Sequence, residues 1–123
     1  MENKDLNKTT AQGTEDVFAV AEKQDETAVG VYVHKFKKPF TFEGRTYEEL
    51  TFDFESMTGR DASAIENELR AMGHPVLVAA FDGEYLARMC VRACTESIGI
   101  DAFKEMSIRD YDKIRIAARG FLV

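Results

Sequence analysis

Residues 40–47 read Phe-Thr-Phe-Glu-Gly-Arg-Thr-Tyr, and this stretch decides the fold class. Glu43-Gly44 separates two runs that are rich in β-branched and aromatic residues, a pattern typical of a β-hairpin with a two-residue turn. Beyond the turn, every second position forms one set, which is Glu48, Leu50, Phe52 and Phe54. This period of two predicts a strand with one face turned toward a core.

The strand before the turn, predicted over residues 29–42, contains Lys37-Lys38-Pro39. Proline has no amide hydrogen to donate to a central sheet ladder, so we expect this stretch at a sheet edge or bulge. Lysines at an edge also discourage pairing with other chains.

After residue 57 the spacing of apolar residues changes from two to three and four, which predicts helices. The first helix should open at Thr58 and stop at Gly73, with a Glu66–Arg70 pair on its surface. Its predicted apolar face is Ala62, Ile65, Leu69 and Met72. Residues 75–81 are apolar but too few for periodicity to distinguish a strand from a helical or irregular connection.

A second helix should begin at Asp82 or Gly83 and end at Gly99. Glu84 and Arg88 lie four residues apart in its first turns, where opposite charges stabilise a helix. Its predicted apolar face is Leu86, Met89, Cys90, Ala93 and Ser97.

Asp101 should cap a short helical segment that reaches Met106. Ser107 and Asp110 resemble a capping box, which indicates a last helix running to the end of the chain. The predicted apolar face of that helix is Ile108, Tyr111, Ile114, Ala118 and Phe121. The order of elements predicts an α+β fold, with an N-terminal β-hairpin or small antiparallel sheet followed by three or four α-helices.

The chain has 123 residues and a formal net charge of −6. This charge disfavours nucleic acid and anionic membranes as partners. Residues 1–28 contain seven acids, three bases and few large apolar residues, so we predict an acidic, disordered N-terminal arm. Residues 29–123 then form a single α+β domain. The sequence shows neither the apolar core of a secretion signal nor a membrane-spanning stretch, so we expect a cytoplasmic protein.

Motifs of known catalytic chemistry do not occur, whether phosphate-binding loops, dinucleotide-binding glycines, a nucleophile elbow or a zinc helix. We therefore expect no enzymatic activity and no cofactor. Cys90, Cys94 and His74 are conceivable metal ligands or a Cys/His nucleophile, but no fourth ligand or orienting group accompanies them, and His34 lies on a distant strand. Two reduced thiols that pack as small apolar groups are the favoured interpretation.

Two further polar features are interpreted as surface. Asp110 and Asp112 point about 200° apart on a helix, so no acid/base pair is expected. Residues 34–40 interleave bases with aromatic rings, a composition suited to single-stranded nucleic acid. Residues 33–60 contain five bases and five acids, however, and protection of a sheet edge explains the lysines more simply.

Several short sequence motifs, taken in order along the chain, resemble the tail assembly chaperones of long-tailed phages. These motifs are Lys38-Pro39 at the strand entry, the hairpin of residues 42–52, the helix opening of residues 57–61, the alanine-rich helix of residues 85–93 and the terminal helix of residues 110–122. The resemblance covers about residues 33–123.

The resemblance implies a small, non-catalytic protein of the infected host's cytoplasm. Such a protein binds the long helical tape measure protein until tail tube subunits polymerise around it, and it is absent from the mature virion. The tail tube protein is a second implied partner, and self-association stays open. The alternative is a small structural tail or neck protein that is retained in the virion.

The candidate partner-binding residues are methionines, which adapt to varied apolar partners, and large apolar residues on or near the predicted helices. They are Met72, Met89, Phe103, Met106, Phe121 and Leu122. For each of them the competing interpretation is packing in the core, because a domain of this size needs most of its large apolar side chains inside.

Overall fold

A computed structural model of the chain describes residues 30–123. It contains strands β1 (Val31–Phe42) and β2 (Arg45–Asp53), followed by helices α1 (Gly59–Ala71), α2 (Gly83–Ala93), α3 (Ile100–Lys104) and α4 (Ile108–Leu122). Two short 3-10 turns, Phe54–Ser56 and Ala79–Phe81, lie between them. The predicted α+β fold with an N-terminal hairpin is confirmed. The predicted arm, residues 1–28, lies outside the described residues.

The hairpin turn is the one that the sequence predicts. Phe42 pairs with Arg45, and the two turn residues Glu43 and Gly44 both have positive φ angles, 49° and 80°. This is the conformation of a type I′ turn, whose twist matches the flanking strands. The antiparallel register is interrupted between Lys35 and Phe40, so the Lys-Lys-Pro stretch lies at the predicted irregularity.

The inward face of the hairpin packs against the helices to form one core. Its large, completely buried side chains are Phe52, Phe54, Phe103, Leu50, Ile65, Leu69 and Ile114. Glu48 belongs to the same alternating set but is exposed, because the ladder is irregular beside it, where the register shifts between Lys35 and Phe40. The apolar half of the predicted strand pattern is therefore confirmed, whereas Glu48 does not join its inward face.

Helix α1 begins and ends where its sequence signals lie. Thr58 and Asp61 form a reciprocal capping box, and Gly73 leaves the helix with a φ angle of +82°. The predicted Glu66–Arg70 ion pair does not form among the described residues. Arg70 donates instead to the side chain of Asn67, at 2.8 Å.

Helix α2 is shorter than predicted and ends at Ala93 rather than Gly99. The chain leaves the helix because Cys94 forms a bridge with Phe52, and the Thr95 amide donates to the Thr51 carbonyl at 2.9 Å. Pairing with the edge of β2 therefore ends a helix that its sequence alone would continue.

The last two helices also differ from prediction in detail. Helix α3 begins one residue earlier than expected, at Ile100, and Asp101 is not its cap. Ser107 does cap α4, because its hydroxyl accepts from the Asp110 amide. Ile108, assigned to the apolar face of α4, is exposed because it lies in the first turn, beyond the layer that the sheet covers.

Candidate functional site

The connection between α1 and α2 forms a closed loop, residues 74–82. His74 and Asp82 join its two ends through a hydrogen bond of 2.9 Å between Nε2 and Oδ2. Asp82 also accepts from the Tyr85 amide at 2.9 Å and so caps α2. Partial burial by itself raises the pKa of Asp82, but the hydrogen bonds from Tyr85 and His74 outweigh it and hold this pKa below its ordinary value. Asp82 therefore both closes the loop and starts the next helix.

The closed loop exposes apolar side chains. Leu77 is 91% exposed, Phe81 is 73% exposed, and Val78 is more than half exposed. The guanidinium carbon of Arg119 on α4 lies 5.9 Å from the centre of the Phe81 ring. Leu122, also exposed, follows Arg119 by three residues and so lies on the same side of α4. We call Leu77, Val78, Phe81 and Leu122 the apolar surface.

A small cleft lies beside the apolar surface, between α2 and α4. It has a volume of about 250 Å³ and is lined by Phe81, Leu86, Ile116 and the aliphatic and charged parts of Arg115 and Arg119, among others. A cleft of this size accepts one or two apolar side chains of a partner. The neighbouring guanidinium groups supply donors around it.

The six predicted partner-binding residues divide into two groups. Met72, Phe121 and Leu122 are exposed, and the Phe121 ring packs against Phe54 with 5.8 Å between centroids. The other three, Met89, Phe103 and Met106, are buried in the core. Their assignment to a binding surface is corrected, because a buried side chain has no surface to offer in this conformation.

A second site joins β1 to the start of α4. His34 lies on the inward face of β1, 3% exposed, and its Nε2 is 2.8 Å from Asp110 Oδ1. Its Nδ1 is 2.9 Å from the Tyr32 hydroxyl, and the Ser107 hydroxyl donates to the other Asp110 oxygen at 2.8 Å. The expectation that Asp110 is solvated surface is wrong, because its carboxylate is partly buried and bound by His34 and Ser107.

Burial decides the protonation of this site. It lowers the pKa of His34 below its ordinary 6.5, although the hydrogen bond and charge of Asp110 act in the opposite direction. Burial also raises the pKa of Tyr32 to about 12. At neutral pH a neutral imidazole therefore accepts from the Tyr32 hydroxyl and donates from Nε2 to the Asp110 carboxylate.

This order of groups differs from that of a nucleophilic triad. In such a triad the imidazole accepts a proton from an exposed hydroxyl. Here the hydroxyl on His34 belongs to a buried tyrosine, while Ser107 binds the carboxylate instead. The cysteines offer no activated thiolate either, because burial raises the pKa of both Cys90 and Cys94.

A cavity of about 540 Å³ opens next to the His34 site, between residues 34–41 of β1 and the turn that leads into α4. Five cations line it, namely Lys35, Lys37, Lys38, Arg109 and Lys113. The carboxylates of Glu105 and Asp110 are the acidic groups of its lining. We call this the basic cavity. It arises because folding brings Arg109 and Lys113 next to the lysines of residues 34–40.

Neither a cluster of metal-ligating side chains nor a helix that could span a membrane occurs in the part of the chain that the structure describes. Over residues 30–123, no three His, Cys, Asp or Glu side chains converge to hold a metal ion. Within the same range, no helix combines the length and the apolar character needed to cross a bilayer.

Sequence reasoning missed both the His34 site and the basic cavity. His34 and Asp110 are 76 residues apart, so no local pattern pairs them. One signal was available, since His34 occupies the inward phase of β1 between Tyr32 and Phe36, where a polar ring needs a buried partner.

No family model, curated protein or solved structure matches this chain. Its function is therefore inferred from its own residues and their geometry.

Proposed function

We propose that the chain is a non-catalytic assembly chaperone that covers apolar helical stripes of a tape measure protein until tail tube subunits replace it. The observation that carries the proposal is the apolar surface, above all Leu77 at 91% exposure on a loop closed by the His74–Asp82 pair. Contiguous exposed apolar side chains mark protein interaction sites. Because the loop is already closed before binding, it loses less conformational entropy when a partner binds.

The size of the apolar surface suits reversible binding. Burying a side chain such as Leu77, Val78 or Phe81 contributes about 1.5–3 kcal/mol. Three of them give about 4–9 kcal/mol, and association itself costs about 4–15 kcal/mol. A single copy therefore binds weakly, whereas several copies along one long stripe occupy it by mass action and are still displaced one at a time.

The proposal is tested by co-expression with a candidate tape measure protein, a very long chain with amphipathic helical stripes. We expect the tape measure protein to be soluble only when the chain is present. The double variant Leu77→Asp, Phe81→Asp should lose this effect while keeping its thermal unfolding midpoint, because both side chains are exposed. Ile108→Asp, which changes an equally exposed apolar residue outside the apolar surface, is the matched control and should keep the effect.

Two results count against the proposal. One is a tape measure protein that stays soluble without this chain, and the other is a double variant that solubilises it as well as the unmodified chain does. Protein analysis of purified virions distinguishes the chaperone from the alternative function. A structural tail or neck protein remains in the virion in fixed stoichiometry, whereas a chaperone is absent from it.

A further inference from the structure

The basic cavity gathers several cations that have no acidic partner among the described residues. Over residues 30–123, Arg88, Arg92 and Lys104 each form an ion pair with an acid of another helix or turn. The five cations of the basic cavity form none with another residue in that range. Like charges around one cavity repel each other, so an anionic occupant stabilises them.

The charge balance of the lining defines the occupant's chemistry. Five cations against two carboxylates leave an excess of three positive charges. The Asp110 oxygens already accept from His34 and Ser107, and Asp110 forms no ion pair with these cations. Pro39, Phe40 and Ile108 add apolar walls, and the volume of about 540 Å³ exceeds that of a single small anion. A carboxylate-bearing polypeptide segment fits these features.

The chain itself carries such a segment. Residues 1–28 have seven acids and three bases, a net charge of −4 out of the −6 of the whole chain. We propose that the basic cavity is the docking site of this acidic segment within the same molecule. The inference does not depend on the proposed function.

Chain length and tethering support the contact. An extended chain covers up to about 3.3–3.6 Å per residue, so the 15 residues from Glu15 to Val29 reach up to about 50 Å. A domain of about 100 residues has a radius of gyration of about 13 Å. The segment therefore reaches the basic cavity from Gly30, where β1 is about to begin. A tethered segment acts at an effective concentration in the millimolar range, so weak electrostatic contacts hold it.

Nucleic acid is the competing occupant of a basic cavity. The observations favour the acidic segment, because the whole chain is negative and repels a polyanion at long range. Tethered carboxylates would also compete for the same cations in every molecule.

Zero-length carbodiimide cross-linking of the full chain tests the proposal, because it joins a lysine amine only to a carboxylate in direct contact. At about 20 mM NaCl we expect links from Lys35, Lys37, Lys38 or Lys113 to acids of residues 1–28, in the monomer band. At about 500 mM NaCl these links should fall about tenfold. The Lys104–Glu84 pair, at 3.0 Å, should cross-link throughout and reports that the reaction worked.

A charge-matched pair of variants locates the contact. Lys38→Glu with Lys113→Glu should reduce links from Lys35 and Lys37 to the acidic segment by about tenfold at low salt. Arg60→Glu with Arg70→Glu changes the net charge equally on α1 and should leave them unchanged. Thermal unfolding of all samples by circular dichroism verifies that each variant is folded.

Three results would overturn the proposal. The first is the absence of these links when Lys104–Glu84 links form, and the second is their confinement to the dimer band. The third is tight binding of a fluorescent single-stranded oligonucleotide to the unmodified full chain that is lost in the Lys38→Glu, Lys113→Glu variant. None of them bears on the co-expression assay, so failure here is distinct from failure of the proposed function.

Discussion

Replacing Asp110 with alanine removes the carboxylate that accepts a hydrogen bond from His34 Nε2 at 2.8 Å. The imidazole is only 3% exposed while Asp110 covers it, so truncating Asp110 leaves its N–H donor without a protein partner. Leaving a buried donor without a partner costs about 1–3 kcal/mol. Asp110 also lies in the first turn of α4, where a negative charge contributes about 0.3–1 kcal/mol.

We therefore expect Asp110→Ala to lower the free energy of unfolding by about 2–3 kcal/mol. For a domain of this size, each kcal/mol lowers the melting temperature by about 4–8 °C. Urea unfolding followed by circular dichroism at neutral pH measures the change, since the chain contains no tryptophan.

Two companion variants separate the buried hydrogen bond from a general loss of charge. Asp110→Asn keeps an oxygen that accepts from His34, so it should cost less than half as much as Asp110→Ala. Asp112→Ala removes an acid from the same helix that is about half exposed and pairs with Arg115, and should cost about 0.5 kcal/mol or less. Equal losses for Asp110→Ala and Asp112→Ala would refute the assigned role of the His34 site.

Three other predictions follow from the same structure. Burial lowers the pKa of His34 in the folded state, so the unfolded chain takes up a proton first as the pH falls below 6.5. The free energy of unfolding therefore falls from that pH toward the lowered pKa. His34→Gln should reduce this dependence of the free energy of unfolding on pH, measured by urea titrations at pH 5–7. Gly44→Ala should destabilise the protein by about 1–2 kcal/mol despite open space around it, because Gly44 has a positive φ angle. Gly120→Ala, inside α4, should stabilise it by about 0.5 kcal/mol. Melting temperatures that shift in the same direction for both variants would contradict this. Phe103→Ala should lower the free energy of unfolding by about 3–5 kcal/mol because the ring is fully buried, whereas Leu77→Ala should lower it by about 0.5 kcal/mol or less. A loss of about 0.5 kcal/mol or less for Phe103→Ala would contradict its burial and make it a candidate for partner binding again.

Local patterns in the sequence predicted the hairpin and the starts of the helices well. Glu43-Gly44 needs nothing beyond its own backbone preferences to turn, and Thr58 and Ser107 cap helices through residues two or three positions away. Such short-range contacts can be predicted because both partners lie in one window of sequence.

Contacts between distant segments account for the errors. Helix α2 ends early because Cys94 meets Phe52 on the sheet edge, more than 40 positions earlier in the chain. Met89, Phe103 and Met106 are large apolar residues on or near predicted helices, as exposed Met72 is. Only the packing of the helices decides which of them are buried in the core. The acid that His34 needs lies on α4 for the same reason.

The sequence by itself determined a two-stranded hairpin followed by amphipathic helices, the absence of known catalytic motifs and the concentration of acids in residues 1–28, because periodicity, turn chemistry and charge are local properties. Only the tertiary structure decided where the apolar surface, the His34 site and the basic cavity lie. Each of them joins segments far apart in the chain, and their proximity depends on how the hairpin and the four described helices share one core.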